Sequence, residues 1–149
     1  MDNITVAIIK VDSPEYAGVF ELRDEVLRKP LGMRLKNDDL SRDYTDTIFA
    51  AIDGDKVVGC LMLHHIDAAQ LQLRQMAVAG DCQGKGVGRK IVQAAEQFAA
   101  QQGYSTMILH ARKIAVGFYS SMGYTTTGNE FMEVGIPHYI MQKPMSSGS

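Results

Sequence analysis

The chain has 149 residues, 46% of them hydrophobic and 21% charged, with a formal net charge of −2. That length and balance fit one domain with its own core, expected over residues 1–144, and give no basic surface for nucleic acid. The opening MDNITVAIIKV has no basic stretch before a short apolar run, so no membrane partner is expected, and Cys60 and Cys82 lack any zinc or disulfide spacing, so no metal and a reducing cytoplasm are expected.

Residues 4–11 (ITVAIIKV) read as a first strand. Asp12-Ser13-Pro14 then supply a helix start, with Ser13 as cap and Pro14 in the first turn. The helix carries Tyr16, Val19, Phe20, Arg23, Val26 and Leu27 until Pro30 breaks it. The polar stretch from Pro30 to Thr47, with Arg34, Lys36, Asp38, Asp39, Arg42 and Asp43, predicts a short helix and loops. Residues 47–53 and 56–66 flank a strong turn signal at Asp53-Gly54 and read as a hairpin. Residues 67–69 turn the chain into a strand at 71–78, and a glycine-rich turn follows. Val87, Ile91, Ala94, Ala95 and Phe98 then share one helical face, and Gly103 stands where a C-cap glycine belongs. Residues 106–111 (TMILHA) read as a buried strand. Residues 125–134 and 138–143, joined by Gly135-Ile136-Pro137, close the pattern, and MSSGS at 145–149 predicts a frayed tail. The order β-α-(α)-β-β-β-α-β-α-β-β predicts an α/β class fold with one mixed sheet and helices on both faces.

The turn Gln83-Gly84-Lys85-Gly86-Val87-Gly88 carries the chemistry. A strand, a glycine turn and a helix start aim free N–H groups and the positive end of a helix at one point, as a phosphate requires. A nucleotide P-loop is excluded because three residues, not four, separate Gly80 from Gly84, and no Ser or Thr follows Lys85. A dinucleotide fingerprint is excluded because its third glycine position falls on Arg89. From the turn alone, a plain tight turn is an equal reading.

The spacing Q-x-x-G-x-G resembles the pyrophosphate loop of the GNAT superfamily, the acyl-CoA-dependent N-acyltransferases. A second segment, Ala115-Val116-Gly117-Phe118-Tyr119-Ser120-Ser121-Met122-Gly123-Tyr124, is similar to the family's A-x-x-F-Y-x-x-x-G-F/Y. The two motifs stand in the family's order. The closing E-x-G-I-P-H-x-x-M-x-K, Glu133 to Lys143, resembles a bacterial subset. The resemblance implies a central mixed, mostly antiparallel sheet flanked by helices, with the parallel pair splayed around the cofactor. It implies acetyl-CoA as acyl donor, with a small-molecule amine or a peptide as acceptor. Dimerisation is common among such relatives, and a homodimer is compatible with the resemblance.

By that resemblance, the backbone of Gln83, Gly84, Lys85, Gly86, Val87, Gly88 and Arg89 holds the diphosphate. Lys85 and Arg89 either add charge to that contact or stand as solvated cations. Met76, Ala77 and Val78 supply N–H groups at a bulge to the thioester and pantetheine arm, and Phe118 forms part of the wall. Tyr119 is the expected general acid, since a phenol near its ordinary pKa of about 10 still holds its proton at neutral pH. The glutamate that many relatives carry on the strand before the loop is missing; Gln72 and Gln75 stand there. Candidates for taking the amine proton are Glu133 and His138, with His64, His65 and His110 behind them. Adjacent His64 and His65 must point to opposite faces of a strand. Cys82 is expected to be a packing thiol. A non-catalytic acyl-CoA-binding module is the alternative, favoured only by the missing acid. The helical region before residue 47 is expected to overhang the acceptor site.

Overall fold

The computed structural model describes residues 3–145. Apolar runs become strands close to where alternation places them: β1 (Ile4–Ile9), β2 (Thr47–Asp53), β3 (Lys56–His65) and β4 (Gln70–Val78). Three more follow, β5 (Thr106–Arg112), β6 (Thr125–Glu133) and β7 (Ile136–Pro144). Hydrogen-bonded neighbours run β1-β2-β3-β4-β5-β7-β6, a seven-stranded sheet. The β1·β2, β2·β3, β5·β7 and β6·β7 pairings are antiparallel, while β4·β5 is parallel, so the sheet is mixed as expected. Helices α1 (Glu15–Arg23), α2 (Val87–Gln101) and α3 (Val116–Ser121) complete the set. The chain divides into two compact units, residues 3–64 with Gln75–Ala95, and His65–Arg74 with residues 96–145.

In the first unit, Val19 and Leu22 of α1 pack on Ile9, Ile48, Ala50, Cys60, Met62 and Ala77, all buried. The start of α1 differs from expectation. Ser13 Oγ donates to Lys10 O (2.6 Å), and Pro14 itself is the N-cap, without a side-chain cap bond. Nor does Pro30 break the helix. The chain first widens into a π-turn at Asp24–Arg28, and Pro30 enters a 3₁₀ turn at Lys29–Leu31, where its missing N–H costs nothing. Gly32, with φ 72°, ends the run. Asp24, at the π-turn, accepts from Leu35 N (2.8 Å) and Arg34 Nε (3.1 Å) and so pins the next segment back onto the helix.

The face of α2 is centred slightly off the expected stripe. Val87, Ile91 and Ala95 are buried as expected, Val92 and Ala99 join them, and Ala94 and Phe98 are half-buried. Close approach of α2 to β3 depends on Gly59: a Cβ there would lie 2.5 Å from Ile91 Cδ1 and 3.1 Å from Val87 Cγ1.

In the second unit, β4 and β5 pair in parallel only from Gln70↔Thr106 to Leu73↔Leu109. The β6–β7 turn is displaced from the expected Gly135-Ile136-Pro137. It consists of Val134 and Gly135, with φ 46° and 73°, between the paired Glu133 and Ile136. Two positive φ values make this a tight hairpin turn, which matches the twist of its strands. Pro137 therefore lies inside β7. It faces Met132, and the β5 register ends at Arg112↔His138, so no β5 partner needs the N–H that proline lacks. At the C-terminus Met145 N still donates to Ser105 O (2.8 Å); the rest of the expected tail lies outside the described residues.

Candidate active site

In the first unit β4 leads into the glycine turn. Gln83 Nε2 donates to Val78 O (3.2 Å), so this side chain clips the turn to the end of its strand. Gly84 and Gly86 have φ 78° and 84°, and a Cβ at either would meet nothing within 4 Å. Any other L-residue would be strained there, and the bare backbone faces open space. Helix α2 opens at Val87, and Lys90 N donates to Gly86 O (3.1 Å), so the amides of Val87 and Gly88 lie ahead of the regular helical ladder. A glycine turn open to space at the positive end of a 15-residue helix fits a diphosphate. Lys85 and Arg89 are exposed beside it. Val87 buries its side chain against β3, which leaves only its amide for the turn's outer surface. Cys82 is buried, and burial, followed by the neighbouring Asp81, pushes its thiol up; a thiol held protonated is a poor nucleophile.

Upstream, β4 is irregular where a bulge is expected. Gln75 has φ 56°, a left-handed backbone in the middle of a strand. Cys60 Sγ donates to Gln75 O (3.6 Å). Burial nonetheless dominates and pushes the Cys60 thiol up to about 12. No peptide bond here is cis, so the Met76 N–H points opposite to the Gln75 carbonyl, away from β3. Ala79 N donates to Val58 O (2.8 Å), so the Val78 carbonyl, and with it the Val78 amide, also faces away from β3.

In the second unit Tyr119 is buried on α3, with its ring edge-on to Phe118 (5.0 Å) and Tyr124 (5.8 Å). Burial alone pushes its phenol above the ordinary range, so it keeps its proton throughout neutral pH. Gly123, with φ 95°, lets the chain turn back under Lys143, whose Cε would lie 3.2 Å from a Cβ. Elsewhere in this unit Glu133 joins two imidazoles. Its Oε1 is 2.9 Å from His110 Nδ1 and its Oε2 is 3.7 Å from His138 Nε2. His138 is buried within β7 and gives its Nδ1–H to Ile136 O (2.7 Å). His110 and Glu133 are open to solvent. His64 and His65 turn to opposite partners, Asp46 (2.9 Å) and the Tyr104 hydroxyl (2.6 Å) respectively. Among the described residues, no group of three or more His, Cys, Asp or Glu is placed to hold a metal ion, and no helix is long and apolar enough to cross a membrane.

A family model described as acetyltransferase (GNAT) domain matches residues 11–145. The chain belongs to the GNAT acetyltransferase family. It therefore carries that family's domain over residues 11–145. An uncharacterized N-acetyltransferase of Bacillus subtilis, YjcF, is 30% identical over 92% of this chain and 98% of its own. Two other Bacillus subtilis relatives, one of them YyaT, are 47% and 41% identical over 58 and 61 residues, and these matches span only 40% and 41% of their lengths. Among solved structures, one from Lactobacillus plantarum has a TM-score of 0.85 at 23% identity, covering 95% of this chain and 98% of that one. A GNAT family acetyltransferase from Elizabethkingia anophelis, solved with acetyl-CoA bound, has a TM-score of 0.72 at 18% identity over 97% and 99%. These two likenesses establish the GNAT fold.

Sequence reasoning missed a buried polar network in the first unit. Arg23 and Asp43 are 1% and 2% exposed. Arg23 Nη1 donates to Asp43 Oδ2 (2.7 Å), Arg23 Nε donates to Gln75 Oε1 (3.1 Å), and the Tyr16 hydroxyl donates to Asp43 Oδ2. Burial, and then this hydrogen bond, push the Tyr16 phenol up to about 12. The available signal was an arginine on the apolar face of a helix, between Val19 and Val26. Asp43 also lines a cavity of about 670 Å³ formed by residues 8–12 and 43–48.

Proposed function

We propose that the protein transfers the acetyl group of acetyl-CoA to a primary amine by direct attack, with Tyr119 protonating the departing sulfur. The observation that carries this reading is the glycine turn ahead of α2, left-handed at Gly84 and Gly86 with open space beside both. Bound acetyl-CoA supplies an activated acyl carbon. Gly84 to Gly88 hold the diphosphate through main-chain N–H groups, with Lys85 and Arg89 adding charge. Met76 and Val78 donate N–H groups to the pantetheine arm and to the oxygen that gains charge as the amine adds. Phe118 packs beside the arm. Tyr119 gives its proton to sulfur as the C–S bond breaks, and burial is what keeps that proton in place beforehand. Glu133 takes the amine proton, directly or through water, with His110 and His138 on either side of its carboxylate. The segment from Glu133 to Lys143 resembles a bacterial subset of the family, and this reading takes the chain as one of that subset. Members of the family act on small-molecule or peptide acceptors; here the acceptor is a primary amine. Both cysteines are free buried thiols, in keeping with a reducing cytoplasm.

The test is a thermal-shift screen followed by turnover. Stabilisation by acetyl-CoA but not by ATP or NAD, together with coenzyme A release over a panel of primary amines and amino-terminal peptides, is the expected result. Stabilisation without turnover on any acceptor would instead make the chain an acyl-CoA-binding module. Stabilisation by ATP alone would end the reading.

A further inference from the structure

The buried pair Arg23–Asp43 is hard to account for as a source of stability. Two opposite charges that are almost wholly buried gain little over a well-packed apolar pair. Asp43 Oδ1 has no hydrogen-bond partner and is buried, which adds cost. At the other end of the network sits Gln75, a non-glycine residue held at φ 56°, where an L side chain is strained. One set of hydrogen bonds joins these two unfavourable features. Arg23 Nε reaches the Gln75 side-chain oxygen, while Nη1 is fixed by Asp43, itself held by Tyr16. From the other side the Cys60 thiol binds the Gln75 carbonyl. Gln75 is thus held at its side chain from α1 and at its main chain from β3.

We propose that Arg23 is a positioning residue for acyl transfer: clamped by Asp43 and Tyr16, it holds Gln75 in its left-handed conformation and thereby turns the Met76 amide away from β3. The guanidinium suits this task because its fork reaches a carboxylate and an amide oxygen at once in fixed geometry, which an ammonium on a flexible stem does not do. Without the side-chain anchor, Gln75 relaxes toward the extended backbone that a strand glutamine prefers. Relaxation rotates the Gln75–Met76 peptide plane and the amide with it. The inference rests on the transferase reading for its catalytic consequence, but the conformational claim stands on its own.

The experiment pairs backbone NMR of the free protein with cofactor binding and turnover. Three variants are compared with the parent: Arg23→Met, Arg23→Lys and Gln75→Leu. In the parent, the Gln75 carbon shifts and the amide–α-proton coupling should report a left-handed residue. In Arg23→Met and Gln75→Leu they should move to strand values at position 75, and the Met76 amide should lose its shift on addition of acetyl-CoA. Coenzyme A affinity by calorimetry should change less than about threefold, while turnover falls by roughly tenfold to a hundredfold, part of what one oxyanion donor contributes. Arg23→Lys should not rescue. Gln75 is only half-buried, so Gln75→Leu keeps the test alive if Arg23→Met does not fold. A left-handed residue 75 in the folded variants, with an unchanged Met76 amide, would overturn the proposal. If the parent itself neither binds acetyl-CoA nor turns over, the transferase reading fails, and the free-protein NMR comparison still decides the role of Arg23.

Discussion

A glutamate placed at Gly86 puts the diphosphate assignment to its sharpest test. Gly86 has φ 84°, and its missing Cβ points into open space, so a side chain there clashes with nothing in the protein. The cost to folding is then only the left-handed backbone of an L-residue, about 1–2 kcal/mol. For a chain of this size that lowers Tm by roughly 3–6 °C. The cost to binding is larger. A carboxylate about 4 Å from a phosphate charge in partly desolvated surroundings repels it by about 4 kcal/mol at an effective dielectric constant near 20. Converted at about 1.4 kcal/mol per decade, this weakens coenzyme A binding by nearly a thousandfold. Gly86→Ala carries the same backbone strain without the charge and should lose far less affinity. Calorimetric titration of coenzyme A into the parent and both variants at low ionic strength reads all three values. Raising the salt should partly rescue the glutamate variant, because repulsion between exposed charges is screened. Coenzyme A affinity in Gly86→Glu within about twofold of the parent would refute the loop as the diphosphate site, since such a charge cannot lie in that contact at so small a penalty.

Tyr119→Phe should lower turnover by about tenfold or more while leaving acetyl-CoA affinity within about twofold, because a proton donor acts on the departing sulfur and contributes little to binding; equal turnover removes Tyr119 from the mechanism. Gly59→Ala should destabilise the protein by about 1–3 kcal/mol, since its methyl would sit 2.5 Å from Ile91 Cδ1. Ile91→Val removes that atom, so the double variant in urea denaturation should recover part of the loss; strict additivity would show that the two sites do not meet. Stability should hold through neutral pH and decline above about pH 9. Cys60 goes up from 9.0 to about 12 and Tyr16 from 10.0 to about 12, each mainly by burial, and Tyr119 moves in the same direction. In that window the folded state binds more protons than the unfolded one, so unfolding free energy falls as pH rises. Cys60→Ala should flatten the first part of the decline; urea midpoints that do not change between pH 8 and 11 would contradict this account.

Much of the fold was legible because it rests on periodicity and on glycine. The hairpin at Gly54, the helix beginning at Val87 and its stop near Gly103 follow from local sequence, since each is set by backbone geometry within a few residues. The glycine turn was equally legible, because glycine takes φ near 80° without the strain that a Cβ brings. The β6–β7 turn was misplaced by one residue because Pro137 signals a turn in isolation. Within the sheet it occupies a position that asks for no donor toward β5. Ser13 looked like a cap because its neighbours fit that pattern; in the structure a closer carbonyl, that of Lys10, takes its hydroxyl.

Sequence by itself therefore pointed to the family, to a glycine turn ahead of a helix and to a tyrosine on α3, because motif spacing is a property of the chain. Tertiary structure alone decided which amides of β4 face away from β3, and that Arg23, Asp43 and Gln75 meet, though 52 residues separate the first from the last. No local pattern encodes such a meeting, since a buried charge finds its partner only after the sheet has brought distant segments into reach.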